Sequence, residues 1–199
     1  MENIFPVTIL NWLIFIGTIS AYIIMIAGII KNKGKGQNFF TWLLWAVLDL
    51  LLYILTEEEK GSCLSLVFGC VLGSSITTLF LIRYEIKWKQ KEWITLTTTS
   101  IFVTIWIYSG SNTLGLVLAV VSQLIAGWPL MEESWKNPED GLTLISYLIF
   151  ILVYCLSILD SPNWEIQNVL FPIAFLIYSI GDTFPLIKKW WKNKNQKNA

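Results

Sequence analysis

The sequence predicts an all-α membrane protein, with seven transmembrane helices as two parallel three-helix repeats joined by one linker helix. Three observations predict it. Of the 199 residues, 55% are apolar and only 14% charged, a balance far from that of a soluble domain. The apolar residues fall into seven blocks, most of them long enough, at about 1.5 Å per residue, to cross a hydrocarbon core of roughly 30 Å. And a short motif beginning at Ile26 returns at Ile125.

The first block, residues 7–30, follows Met1-Glu2-Asn3. No basic stretch precedes it and no small-residue cleavage site follows, so it reads as a span rather than a cleavable signal. Residues 39–55 form the second block and 62–82 the third. The fourth, 93–108, is shorter and carries Thr95, Thr97, Thr98 and Thr99. The fifth, 113–131, ends near Pro129; the sixth is 142–159; the last, 166–187, contains Pro172. Each proline removes a backbone hydrogen bond and crowds the carbonyl four residues back, so Pro129 and Pro172 are expected kinks and candidate hinges.

The motif match has several parts. Ile26-Ala27-Gly28 corresponds to Ile125-Ala126-Gly127, Thr41 to Thr143 and Trp45 to Tyr147. Further on, Leu72-Gly73-Ser74-Ser75 corresponds to Ile180-Gly181-Asp182-Thr183. Three spans reverse the direction of the chain, and one unmatched span restores it, which gives a three-plus-one-plus-three order. The expected units are residues 1–83, a linker helix in 84–110, a second repeat in 111–191 and a basic tail in 192–199.

This order resembles the PQ-loop superfamily, which includes the SWEET-like sugar transporters and lysosomal amino-acid exporters. The resemblance is clearest from Pro129-Leu130 to Gly141-Leu142-Thr143-Leu144, where a proline at a helix end, a polar loop and a GLSL-like helix start follow one another. Leu130 takes the place of the name-giving glutamine, and Ile29-Ile30 stand there in the first copy. The resemblance implies a transporter or facilitator of a small polar solute (a sugar, an amino acid or a vitamin precursor) that works by alternating access. The alternative is a non-transporting seven-helix receptor or scaffold of the same fold.

Some chemistry is excluded or disfavoured by composition. There is no histidine, which removes imidazole proton relays and histidine metal sites. Cys63, Cys70 and Cys155 lie in apolar segments without metal-ligand spacing. The expectation is therefore no enzyme, metal or cofactor, with a small-molecule solute and the lipid bilayer as partners and no nucleic acid. Oligomerisation is left open.

Two acidic residues lie within spans, Asp49 and Asp182. An aspartate at mid-bilayer costs about 2.5–3.5 kcal/mol on insertion scales and normally faces the bundle interior or water. Trp42, Trp45 and Asp49 fall at i, i+3 and i+7 on one helical face. Aromatic surface beside a carboxylate suits a sugar ring, an organic cation or an aromatic ring. The candidate substrate-binding set is Trp45, Asp49, Tyr147, Gln123, Asp182 and Trp42. Trp42 also lies shallow enough to serve as an interface anchor. Gln123 and Asn11 read either as cavity groups or as interhelical glue.

Basic residues predict the orientation. Thirteen of the fourteen fall in loops or tails that share one side if there are seven spans, and Lys60 alone falls on the other. By the positive-inside rule the N-terminus is outside and the C-terminus cytoplasmic, in the plasma (inner) membrane. The trailing Lys188-Lys189-Trp190-Trp191 reads as an interfacial anchor ahead of the basic tail. A reporter that is active only outside the cell, fused after Ala199, is expected to be silent. Activity there would overturn either the span count or the orientation.

Overall fold

The computed structural model describes residues 9–35, 37–84, 90–136 and 141–197, with side chains to Trp191. Seven helices and no strand occur among the described residues: α1 (Ile9–Lys31), α2 (Phe39–Glu58), α3 (Leu64–Leu81), α4 (Gln90–Ser109), α5 (Asn112–Lys136), α6 (Gly141–Leu159) and α7 (Ile166–Lys197). Six of them, all but α4, are long and apolar enough to cross a membrane. Lys87, Lys89, Glu139 and Asp140 lie outside the described residues.

Several helices outrun the apolar blocks. The last continues to Lys197, through much of the stretch expected to be a tail, and α5 runs on to Lys136. The i to i−4 hydrogen-bond ladder does not stop where apolar side chains stop, so hydropathy locates a span better than it locates a helix end. Both α5 and α7 continue through their internal prolines, Pro129 in one and Pro172 and Pro185 in the other.

The helix ends have local causes. Asn38 caps α2, its side-chain oxygen accepting from the Thr41 N–H at 3.0 Å. After α1, Lys33 turns left-handed at φ 53°. The Gly34 N–H then reaches the Ile29 carbonyl at 2.9 Å and the Lys33 N–H reaches Ile30 at 3.2 Å. Lys60, also at φ 53°, ends α2 with the same pair of bonds, Gly61 to Thr56 at 2.8 Å and Lys60 to Glu57 at 3.1 Å. Both are Schellman closures, which satisfy carbonyls that a helix end would leave without donors.

The helices close into a ring in which α1 packs on α3, α3 on α2, α2 on α5, α5 on α7, α7 on α6 and α6 on α1. The remaining helix, α4, lies outside the ring against α5. Its buried residues are only Glu92, Thr95 and Thr99. The perimeter is apolar, with exposed Leu13, Ile16, Ile23, Val47, Leu79 and Ile177 among many, while serines, threonines and aspartates are buried inside. Polar groups turned inward and apolar groups outward suit a bundle whose solvent is lipid.

Small residues set the closest approach. On α3, Gly69 and Gly73 face α1 in a GxxxG spacing. A Cβ on Gly69 would lie 2.8 Å from Thr18, and one on Gly73 would lie 2.0 Å from the Tyr22 ring. That ring is hemmed in by Trp42 and Phe150, at centroid distances of 6.0 and 4.9 Å. Gly73→Ala is therefore expected to cost about 1–3 kcal/mol in overpacking. Gly141, where an added Cβ meets nothing within 4 Å, should tolerate alanine within about 0.5 kcal/mol. Thermal unfolding of the detergent-purified variants checks this, and equal melting temperatures for the two would contradict the close α1–α3 contact.

Candidate functional site

The face predicted on α2 forms as a single surface. Trp42, Trp45 and Asp49 are all buried and all line one central chamber. Tyr147 joins them from α6, on the far side of the ring. The chamber has a volume of about 20 Å³, room for about one water molecule.

Other walls escaped sequence reasoning. Tyr22 and Met25 enter from α1, Phe150 and Tyr154 from α6, and Phe171, Phe175 and Tyr178 from α7. Single aromatic residues in apolar spans carry no separate signal, because the same residues would suit a lipid face. Their neighbours decide: Trp45 meets Phe175 at 5.8 Å and Tyr178 at 5.5 Å between centroids, at 68° and 80°. Trp42 meets Trp45 at 5.1 Å and 83°. These are edge-to-face pairs, the arrangement that ring quadrupoles favour.

A polar seam joins α2 to α5 beside the chamber. The Thr41 hydroxyl donates to the Ala126 carbonyl at 2.8 Å. One turn on, the Trp45 indole N–H donates to the Gln123 carbonyl at 2.8 Å. One turn further, the Gln123 amide donates to Asp49 Oδ1 at 2.5 Å. The spacing of four puts all three α2 side chains on the same ridge. From α3, Ser74 Oγ donates to Asp49 Oδ2 at 2.8 Å while lying 2.7 Å from the Cys70 carbonyl. Asp49 thus ties α2 to both α3 and α5 through neutral donors.

Some expected roles change. Trp42 is only 2% exposed and its indole N–H donates to Gln37 Oε1 at 2.6 Å. It is a wall of the chamber, not an anchor at the lipid boundary, since it is buried in the interior with the Tyr22 ring of α1 against it at 6.0 Å. Gln123 is fully buried but serves as a partner of Asp49 rather than as chamber lining. Asp182, also fully buried, lies beyond the chamber on α7 in electrostatic contact with Tyr178. The Tyr178 hydroxyl donates to the Gly127 carbonyl at 2.9 Å. Asn11 is half-buried on α1 and does not line the chamber. Pro129 is buried on α5 two residues past Gly127, and Pro172 adjoins the chamber residue Phe171 on α7.

The basic-loop end is held by a second polar cluster that was not expected. Glu92 is 1% exposed and accepts from the Asn38 side-chain amide at 3.0 Å. Beside it, Glu132 bridges Lys91 and Lys136. Through Asn38, the cap of α2, this cluster ties the outlying α4 to the ring. No group of three or more metal-binding side chains occurs among the described residues.

The seam around Asp49 makes a quantitative prediction. Gln123→Leu removes a donor from a buried carboxyl oxygen and should cost about 1–3 kcal/mol. In an Asp49→Leu background the same change should be neutral or stabilising, because Gln123 then has no carboxyl to serve. A double-mutant cycle on unfolding in detergent measures the difference, and additive losses would show that the two side chains do not interact. In comparisons with family models, with curated proteins and with solved structures, the chain matches none, so the functional argument rests on this chamber.

Proposed function

We propose that this chain is a multi-pass membrane carrier of a small polar solute, resembling the PQ-loop and SWEET-like transporters. In this reading it works by alternating access between two parallel three-helix repeats. The observation that carries the reading is Asp49, a carboxyl group buried at mid-helix on the wall of an aromatic chamber and enclosed by the ring. An acidic side chain in a span is costly, and its usual reason for being there is a solute or ion path.

The ring of contacts supports two repeats. Exchanging α1, α2 and α3 with α5, α6 and α7 leaves the order of neighbours unchanged. The matched motifs also pair crosswise. Thr41 bonds to Ala126, beside Gly127, while Thr143 packs on Gly28, its Oγ1 lying 3.2 Å from where a Cβ would sit. A pseudo-twofold axis along the membrane normal accounts for both, with α4 as the linker that restores direction. Pro129 and Pro172 are the proposed hinges. The positive-inside bias supports an outer N-terminus and a cytoplasmic C-terminus in the plasma membrane.

Proton coupling through Asp49 belongs to the same proposal. The Ser74 hydroxyl has one hydrogen and two acceptors within 2.8 Å, Asp49 and the Cys70 carbonyl. That hydrogen can go to Asp49 as a carboxylate, or turn to Cys70 while Ser74 accepts from Asp49 as an acid, so the site accommodates both states that proton coupling needs. A second reading, a receptor or scaffold that transports nothing, is favoured by one observation, the chamber of only about 20 Å³. The carrier reading takes that volume as an occluded conformation, in which both entrances are shut.

Proteoliposomes separate the readings. A carrier should exchange internal for external solute in counterflow, tested with sugars, amino acids and vitamin precursors, whereas a scaffold should exchange none. Asp49→Asn keeps the shape and removes the titratable group. In a proton-coupled carrier it should abolish accumulation driven by a pH gradient and leave counterflow intact. Normal accumulation by the variant across pH 5 to 8 would assign Asp49 a structural role.

A further inference from the structure

We propose that the chamber is a binding site for an organic ammonium ion, held by aromatic faces and by Asp49. This rests on the chamber being a solute site that widens when an entrance opens, and it names the class of solute.

The orientation of the rings is the first argument. The polar edges of three chamber aromatics are already bonded to groups outside the chamber lining. The Trp45 N–H is held by the Gln123 carbonyl, the Trp42 N–H by Gln37 and the Tyr178 hydroxyl by the Gly127 carbonyl. What these three residues present inward is ring surface. Sugars and zwitterions need many directed hydrogen bonds, and this part of the wall offers few. A cation needs electron-rich faces, and successive rings here stand near right angles, at 83° between Trp42 and Trp45 and 80° between Trp45 and Tyr178. Perpendicular walls offer π-faces from several directions to one charge, the arrangement by which aromatic cages hold quaternary ammonium groups.

The second argument is the charge balance. No lysine or arginine occurs within residues 9–30, 39–59, 64–82, 92–135 or 141–187. The interior therefore has no positive group of its own to offer Asp49, whose hydrogen-bond donors are the neutral Ser74 and Gln123. Each carboxyl oxygen accepts one of these bonds, and a carboxylate has about four acceptor sites. The site thus keeps acceptor capacity on the same α2 face as Trp42 and Trp45. A cationic solute would supply the missing counter-charge, whereas an anion would meet Asp49 with no compensating group.

The third argument is the place of Asp49 in the fold. Its bond to Gln123 on α5 crosses between the two halves of the ring, while its bond to Ser74 on α3 stays within one half. A cation drawn to it therefore engages the contact that any relative movement of the halves must change, which links occupancy of the chamber to its opening.

The test uses the purified full chain in nanodiscs with two probes of nearly equal shape, choline and its uncharged carbon analogue 3,3-dimethyl-1-butanol. Radiolabelled choline is expected to bind, with tetramethylammonium competing and neither dimethylbutanol nor glucose competing at the same concentration. Asp49→Asn should weaken choline binding roughly thirtyfold or more, the scale of losing one partner from a buried charge pair. Trp45→Leu, which leaves Asp49 in place, should weaken it by about tenfold through loss of a ring face. Equal competition by dimethylbutanol would overturn the proposal, since the site would then read shape and not charge. So would the absence of binding by any ammonium probe. If no ammonium ion binds but other solutes exchange in counterflow, this inference falls and the carrier reading stands. If choline binds with the expected selectivity and no solute exchanges, the inference stands and the carrier reading falls.

Discussion

The fold is organised around the bonds of a single carboxyl group. Asp49 sits halfway along α2 and accepts from Ser74 on α3 and Gln123 on α5. In a bundle bathed by lipid the apolar side chains gain little by meeting one another, because the surroundings are equally apolar. Register between spans must then come from close packing and from polar groups that have no other partners at that depth. A buried carboxyl without donors would cost several kcal/mol, so the α2–α3 and α2–α5 contacts are set at the level of Asp49. Thr41 and Trp45 extend the same register along the seam.

Close packing does the corresponding work elsewhere. Gly69 and Gly73 admit Thr18 and Tyr22 of α1, and Gly127 admits Trp45 and Tyr178. Gly73 and Gly127 stand where large side chains of neighbouring helices need room, and those side chains, Tyr22, Trp45 and Tyr178, are chamber walls. The aromatic box and the glycine faces are therefore one construction, in which a ring is held firmly because a glycine opposite lets the helices approach. The far end of the bundle is pinned differently: the Ser62 N–H donates to Asn168 at 2.7 Å, and Gly61 lies against the Gln167 carbonyl. Together with the Glu92 and Glu132 clusters, this places polar ties at the two ends of a helical ring whose middle holds the chamber.

How α4 is attached bears on any movement of the bundle. It contributes little to the core and rests on α5. Its ties run through Glu92 to the cap of α2 and through Lys91 to Glu132 on α5. A helix outside the ring is not needed to close it, since its removal leaves the sequence of ring contacts intact. The lower apolarity of its threonine-rich stretch fits that peripheral position.

Much of the architecture was legible in the sequence because lipid imposes simple rules. Length and apolarity mark the spans, and an aspartate inside a span is too costly to face lipid, so Asp49 could be placed inward from its spacing with Trp42 and Trp45. The return of Ile-Ala-Gly and of the threonine that follows was visible too. Only the tertiary structure decided that Thr41 meets Ala126 and that Thr143 meets Gly28, since such contacts depend on helices distant in the chain. It also decided which aromatics matter. Tyr22, Phe150, Phe175 and Tyr178 are indistinguishable from lipid-facing residues until their neighbours are known, and Trp42 reads as an interface anchor until the Tyr22 and Trp45 rings are seen against it. Hydropathy is a property of one segment, whereas a chamber is a property of five helices at once: α1, α2, α3, α6 and α7.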